Sequence, residues 1–310
     1  MKLLVNLYST VHSFSGQAEH FQEIFSLFGE DQCVFARSNE EFLEHLPQAE
    51  CLICWSFSTD LYDLAKNLTL VVTPAAGRDW IEQDPRQQVQ VEFSSFHGPM
   101  IAESFLGMLT YFNNQFPKQV VFQKRQLWNR NACEGRRLLR NQSLMILGCG
   151  NIGLHCGELA TRIGMRVCGA NRLGVGEGNF PCLPLNEAMK DLRSYDHVLS
   201  LLPGSEENEK ILGDEFFKVM KSGANFYNFG RGTVLDEDEL IHYLDECPTA
   251  FAGLDVAFEE PAPLSSDLYT HEQVLLTPHN SCTYKEYLDL FIVEFKSRFE
   301  LGHFPSLVAK

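Results

Sequence analysis

Ser143-Leu-Met-Ile-Leu-Gly-Cys-Gly-Asn-Ile-Gly153 is the stretch that decides the fold. Ser143 to Leu147 is a short apolar run of strand length, and it leads directly into glycines at 148, 150 and 153. Beyond them the apolar residues fall at helical spacing, at Leu154, Leu159 and Ile163, until Gly164 stops the pattern. Strand, glycine turn and helix in this order give the G-x-G-x-x-G spacing a mechanism. Gly148 permits the tight turn, Gly150 lets a pyrophosphate approach the backbone, and Gly153 packs helix on strand. Asn151 and Ile152 then stand at a helix N-terminus, whose free amides and partial positive charge favour phosphate. The segment reads as a dinucleotide-binding unit.

The next strand, Met165 to Ala170, ends at Asn171-Arg172. An acidic residue about 20 positions after the glycines would hydrogen-bond the ribose 2′-hydroxyl of NAD. Asn171 removes the charge that would repel a 2′-phosphate, and Arg172 offers a planar donor set suited to one. The expectation is NADP in preference to NAD, with Asn171→Asp moving the preference toward NADH.

Downstream, Asn228-Phe-Gly-Arg-Gly232 holds an arginine in a glycine-rich turn, followed by Glu260-Pro261 and by Thr277-Pro-His279. Reduction of a 2-oxo acid requires a fixed cation for the carboxylate and carbonyl oxygen, a proton donor for the developing alkoxide, and a carboxylate that orients the donor. Arg231, His279 and Glu260 supply one of each. An imidazole titrates near neutrality and a neighbouring carboxylate favours its protonated form, so it can give a proton in one direction and recover it in the other.

From Leu144 to His279 the chain resembles the D-isomer-specific 2-hydroxyacid dehydrogenases. Besides the glycine fingerprint, the matching segments are Val198 to Pro203, Asn228 to Gly232, Gly253-Leu-Asp-Val256 with Glu260-Pro261 behind it, and Leu275 to His279. The resemblance implies an α/β fold in which a Rossmann-type dinucleotide-binding domain, 99–283, is inserted in a smaller flavodoxin-like α/β substrate domain made of 1–98 and 284–310. It implies that Arg231 binds substrate, that Glu260 pairs with the acid/base His279, that Asp255 contacts the nicotinamide carboxamide, and that Leu202 and Pro203 line the cofactor cleft. Thr73 to Asp79 resembles the family's substrate loop, with the amides of Ala76 and Gly77 meeting the substrate carboxylate. The long helical pattern at 99 to about 126 implies a homodimer. The implied activity is an NAD(P)H-dependent reductase of a glyoxylate- or hydroxypyruvate-type acid. The alternatives are a phosphoglycerate-type dehydrogenase running with NAD, or a dinucleotide-sensing, co-repressor-like binding protein. Formate dehydrogenases of this superfamily pair the histidine with Gln, and Glu260 argues against that branch.

Composition bounds this reading from outside. The chain of 310 residues, 45% hydrophobic, is long enough for two cores. A net charge of −16 argues against nucleic acid or an anionic membrane surface as partner, and makes a local cationic site necessary for an anionic substrate. Met1 to Tyr8 is too short and too soon polar for a signal peptide, and no run approaches the roughly 18 apolar residues of a membrane helix, so a cytoplasmic protein is expected. Ten cysteines are scattered through apolar segments. Cys51 and Cys54 have C-x-x-C spacing but no second pair to complete a zinc site, so reduced thiols and no metal are expected. Strand and helix patterns alternate from Lys2 onward, which implies parallel sheets.

Overall fold

The computed structural model describes residues 1–304. The chain divides into two compact units, Met1–His97 with the segment from Thr283 onward, and Gly98–Cys282.

In the first unit β1 (Leu3–Asn6), α1 (Gln22–Phe28), β2 (Cys33–Phe35), α2 (Asn39–His45), β3 (Cys51–Cys54), β4 (Leu70–Thr73) and β5 (Gln90–Phe93) follow in sequence. The strands form a five-stranded sheet in the order β2-β1-β3-β4-β5, with every pair parallel. This is the flavodoxin order. β3 and β4 are buried along their whole length, which is why Cys-Leu-Ile-Cys and Leu-Val-Val-Thr contain no charged residue. Ser38 caps α2 by accepting from the Glu41 amide at 3.1 Å.

The second unit contains α3 (Gly98–Asn113), α4 (Phe116–Lys124), β6 (Ser143–Leu147), α5 (Asn151–Arg162), β7 (Arg166–Asn171), β8 (Cys182–Pro184), α6 (Leu185–Ala188), β9 (His197–Ser200), α7 (Asp214–Val219), β10 (Asn225–Asn228), α8 (Glu237–Glu246), β11 (Ala252–Leu254) and β12 (Val274–Leu276). Its seven strands run in the order β12-β11-β10-β9-β6-β7-β8, again all parallel. Successive residues of β6 serve opposite faces. Met145 and Leu147 pack with Val198, Phe226 and Leu254, whereas Leu144 and Ile146 pack with Phe105, Leu199 and Tyr227. A strand covered on both faces needs an unbroken apolar run, and each such side chain contributes roughly 1.5–3 kcal/mol by leaving water. The last helix, α9 (Tyr287–Glu300), belongs to the first unit.

The continuous helical stretch expected from 99 to about 126 is instead two helices. Gln115 takes a left-handed conformation, φ 54°, and α4 begins with Pro117 in its first turn. A proline ring collides with the carbonyl four residues back, here Asn113, and offers no amide, so α3 ends there. Among the described residues no helix is long and apolar enough to cross a membrane.

One polar cluster lies within the core of the second unit, and another lies beside it at the surface. His197 is buried, with Nδ1 3.2 Å from the Tyr227 hydroxyl and Nε2 2.8 Å from Gln142 Oε1. Burial lowers its pKa to about 4. Beside it Asp196 accepts from Arg137 at 2.7 Å, Lys221 at 2.5 Å and the Ser143 amide at 3.0 Å. Burial pushes the Asp196 carboxyl up, but these donors outweigh it and bring the pKa to about 2.

Candidate active site

β6 and β9 are neighbours in the sheet, and the chain leaves them toward opposite edges, so their carboxyl ends open a crevice where ligands of such sheets bind. Two glycine turns meet there. Gly148 has φ 90°, and a Cβ on it would stand 2.7 Å from the Leu201 carbonyl oxygen; one on Gly230 would stand 2.4 Å from that of Leu202. The Leu201-Leu202 backbone is thus threaded between the turn of α5 and the turn that carries Arg231. Gly153 packs tightly as expected, its would-be Cβ 3.2 Å from the Gly148 carbonyl oxygen. Gly150 differs: a Cβ there would meet no described atom within 4 Å. Its lack of a side chain fills no packing need of the protein and leaves space open at the start of α5. The amides of Ile152 and Gly153 donate to no described residue. Open space beside unpaired amides at a helix N-terminus fits the phosphates of a dinucleotide.

At the end of β7, Arg172 is exposed and pairs with no described acidic group. Asn171 is turned into its own loop, where Oδ1 accepts from the amides of Leu173, Gly174 and Val175 and Nδ2 donates to the carbonyls of Cys149 and Val175. Leu202 is buried, and the exposed Pro203 accepts from Asn208 at 2.9 Å.

The structure brings Glu260 and His279 together and sets the Arg231 turn against the loop that carries Glu260. Asn228, at the end of β10, shapes that turn: Oδ1 accepts from the Gly230 amide at 3.1 Å and Nδ2 donates to the Arg231 carbonyl at 3.0 Å. A Cβ on Gly232 would lie 1.7 Å from the Ala257 carbonyl oxygen, so only glycine lets the two segments touch. Glu260 accepts from the Ala257 amide at 3.2 Å and from His279 Nδ1 at 2.8 Å. Burial pushes the Glu260 carboxyl up; the hydrogen bond and charge of His279, the Ala257 amide and the Arg231 guanidinium outweigh it and hold it below the usual carboxylate range. An ionised carboxylate only accepts, so His279 is the donor through Nδ1, and Nε2 is the ring nitrogen that Glu260 does not engage. Both side chains are 39% exposed, which leaves them open to a ligand.

His279 has φ 48°, a left-handed conformation that costs a non-glycine residue about 1–3 kcal/mol. Asp255 holds it there. Its backbone carbonyl accepts from the His279 amide at 2.7 Å, Oδ1 accepts from Thr277 Oγ1 at 2.7 Å and the Asn280 amide at 3.0 Å, and Oδ2 accepts from the Ser281 amide at 3.1 Å. The bonds of this buried carboxylate thus go to the histidine segment, a positioning task that the sequence did not reveal. The same is true of Asn228, whose only signal was its place just ahead of a glycine-rich turn.

In the first unit the loop after β4 is held at several points. Thr73 Oγ1 accepts from the Ala75 amide at 3.2 Å, Ser94 donates to the Ala75 carbonyl at 3.1 Å, and Tyr287 donates to the Pro74 carbonyl at 3.0 Å. The amides of Ala76 and Gly77 donate to no described residue, as an anion-binding loop requires. Because Tyr287 spends its proton on Pro74, His97 Nε2 is the donor across the 2.9 Å between them. Arg78 lies 5.7 Å over the Phe93 ring, and Trp80 is half-exposed. All ten cysteines are free thiols, and burial pushes those of Cys51 and Cys54 far up.

Comparison with known proteins places the chain in a family. Residues 106–281 match the profile of the D-isomer specific 2-hydroxyacid dehydrogenase, NAD binding domain. D-3-phosphoglycerate dehydrogenase 2, chloroplastic, of Arabidopsis thaliana is 28% identical over 283 residues, 84% of this chain and 43% of that protein. The chain spans about half the length of the phosphoglycerate dehydrogenases it matches. The hydroxypyruvate reductase of Thermotoga maritima is 25% identical over 250 residues, 77% of this chain and 80% of that one. The crystal structure of a D-isomer specific 2-hydroxyacid dehydrogenase from Xanthobacter autotrophicus Py2 in complex with NADPH and MES has the same fold, with TM-score 0.79, 24% identity and coverage of 97% and 96% of the two chains.

Proposed function

Because the chain belongs to the D-isomer-specific 2-hydroxyacid dehydrogenase family, we propose that it interconverts a small 2-oxo acid of the glyoxylate or hydroxypyruvate type with its D-2-hydroxy acid, using NADP in preference to NAD. The observation that carries the reading is the 2.8 Å bond between His279 Nδ1 and Glu260 Oε2, beside the Arg231 turn. The bound dinucleotide supplies the hydride that adds to the carbonyl carbon. Its phosphates are held by the turn from Gly148 to Gly153, its adenosine ribose by the loop of Asn171 and Arg172, and its nicotinamide half by Leu202, Pro203 and Asp255. Arg231 binds the substrate carboxylate and carbonyl oxygen, and the amides of Ala76 and Gly77 add donors for the carboxylate. His279 Nε2 gives the proton that converts the developing alkoxide to a hydroxyl, and Glu260 stabilises the imidazolium that precedes the transfer. In oxidation the same nitrogen takes the proton back.

The protein acts in the cytoplasm as a homodimer on this reading, which is supported by apolar side chains left exposed on and after α4. The test of the activity is turnover of NADPH and NADH against a panel of 2-oxo acids that includes glyoxylate, hydroxypyruvate and its 3-phosphate.

A further inference from the structure

Residues 171–175 form a loop closed by one side chain. Asn171 Oδ1 accepts from the amides of Leu173 (3.0 Å), Gly174 (2.8 Å) and Val175 (3.3 Å). Its Nδ2 donates to the Val175 carbonyl at 2.5 Å and to the Cys149 carbonyl at 3.3 Å. Four of these bonds fold the chain back on itself, and the fifth ties the fold to the glycine turn. Gly174 has φ 69°, and a Cβ on it would lie 2.7 Å from the Pro184 nitrogen, so the loop sits flat against the end of β8. Arg172 stands exposed in this closed segment.

Only an amide side chain meets these demands, because the position needs an acceptor for three amides and a donor for two carbonyls. Aspartate keeps the acceptor, loses both donors, and sets a negative oxygen against the carbonyls of Cys149 and Val175. The acidic residue that would hold a ribose 2′-hydroxyl therefore conflicts with the closed loop. We propose that Asn171 is a positioning residue for a 2′-phosphate: it does not contact the ribose in place of an acid, but closes the loop that presents Arg172 and ties that loop to the phosphate-binding turn. Selection for a 2′-phosphorylated adenosine then depends on loop closure as well as on the arginine.

The inference rests on the NADP reading above, and equilibrium binding separates the two. NADPH, NADH, 2′,5′-ADP and 5′-AMP are titrated into the full chain and into Arg172→Ala, Asn171→Asp, Asn171→Ala and Gly174→Ala. The wild type should bind the 2′-phosphorylated member of each pair more tightly, and Arg172→Ala should remove most of that difference. Each Asn171 variant, and Gly174→Ala, which opens the loop while the Asn171 side chain is kept, should lower the preference for the 2′-phosphorylated member of each pair by about tenfold or more. Tighter NADH binding by Asn171→Asp than by wild type overturns the proposal, as does a wild-type preference retained in Asn171→Ala and Gly174→Ala. Equal binding of both pair members by wild type, with no effect of Arg172→Ala, removes the NADP reading itself, and does so in arms that contain no Asn171 change.

Discussion

At His279 the backbone and the ring answer to different residues: Asp255 fixes the left-handed main chain through its carbonyl and the flanking segment through its carboxylate, and Glu260 accepts from Nδ1. The residue's task is therefore set by position as much as by basicity, and the three polar side chains of the site should differ in what their loss costs. His279→Ala removes the proton donor and Arg231→Ala the cation, so each should lower kcat by roughly 10²–10⁴ with NADPH still bound. Glu260→Gln keeps an acceptor for Nδ1–H but not the charge, and should retain more activity than either. The check is steady-state turnover beside cofactor titration of the same variants. Near-normal kcat in His279→Ala would remove it from the acid/base role.

Among the elements, α4 carries apolar side chains that its own packing leaves uncovered. Val120 and Val121 on it, and Leu127 and Trp128 just after it, lie open to solvent, with Trp128 95% exposed. An apolar surface of this kind suits the dimer interface proposed above. Trp128→Glu and Val121→Glu are expected to convert a dimer to a monomer in light scattering, and a monomeric wild type would contradict the assignment. The break that creates α4 was legible in principle, since Pro117 cannot continue a ladder, but the apolar spacing across it masks the stop. β6, by contrast, was readable to the residue because both of its faces demand the same chemistry. Gly148 and Gly153 were readable too, since each removes a Cβ that backbone would meet. The direction of Asn171 was not, because an amide suits a ribose and its own loop equally well. Nor was the link from His97 through Tyr287 to Pro74, whose members come together only when α9 packs on the first sheet.

Over the whole molecule each unit buries a neutral imidazole, His97 in the first and His197 in the second, and burial lowers both pKa values to about 4. An unfolded histidine takes its proton near pH 6.5. The stabilisation from each is therefore complete above that pH and is lost as the pH falls from about 6.5 to 4, by about 3 kcal/mol per site. Chemical denaturation should show this fall, and His197→Gln should show a shallower one even where its absolute stability is lower. A stability that is flat between pH 7 and 4 would contradict the account of both sites. The central claim, that the Arg231, Glu260 and His279 arrangement reduces a 2-oxo acid, is tested most directly by cofactor oxidation in the purified chain with glyoxylate and hydroxypyruvate. The predicted result is NADPH consumption with kcat/KM about tenfold or more above that for NADH, lost in His279→Ala. Binding of NADPH with no consumption of either cofactor across the whole panel of 2-oxo acids would contradict it.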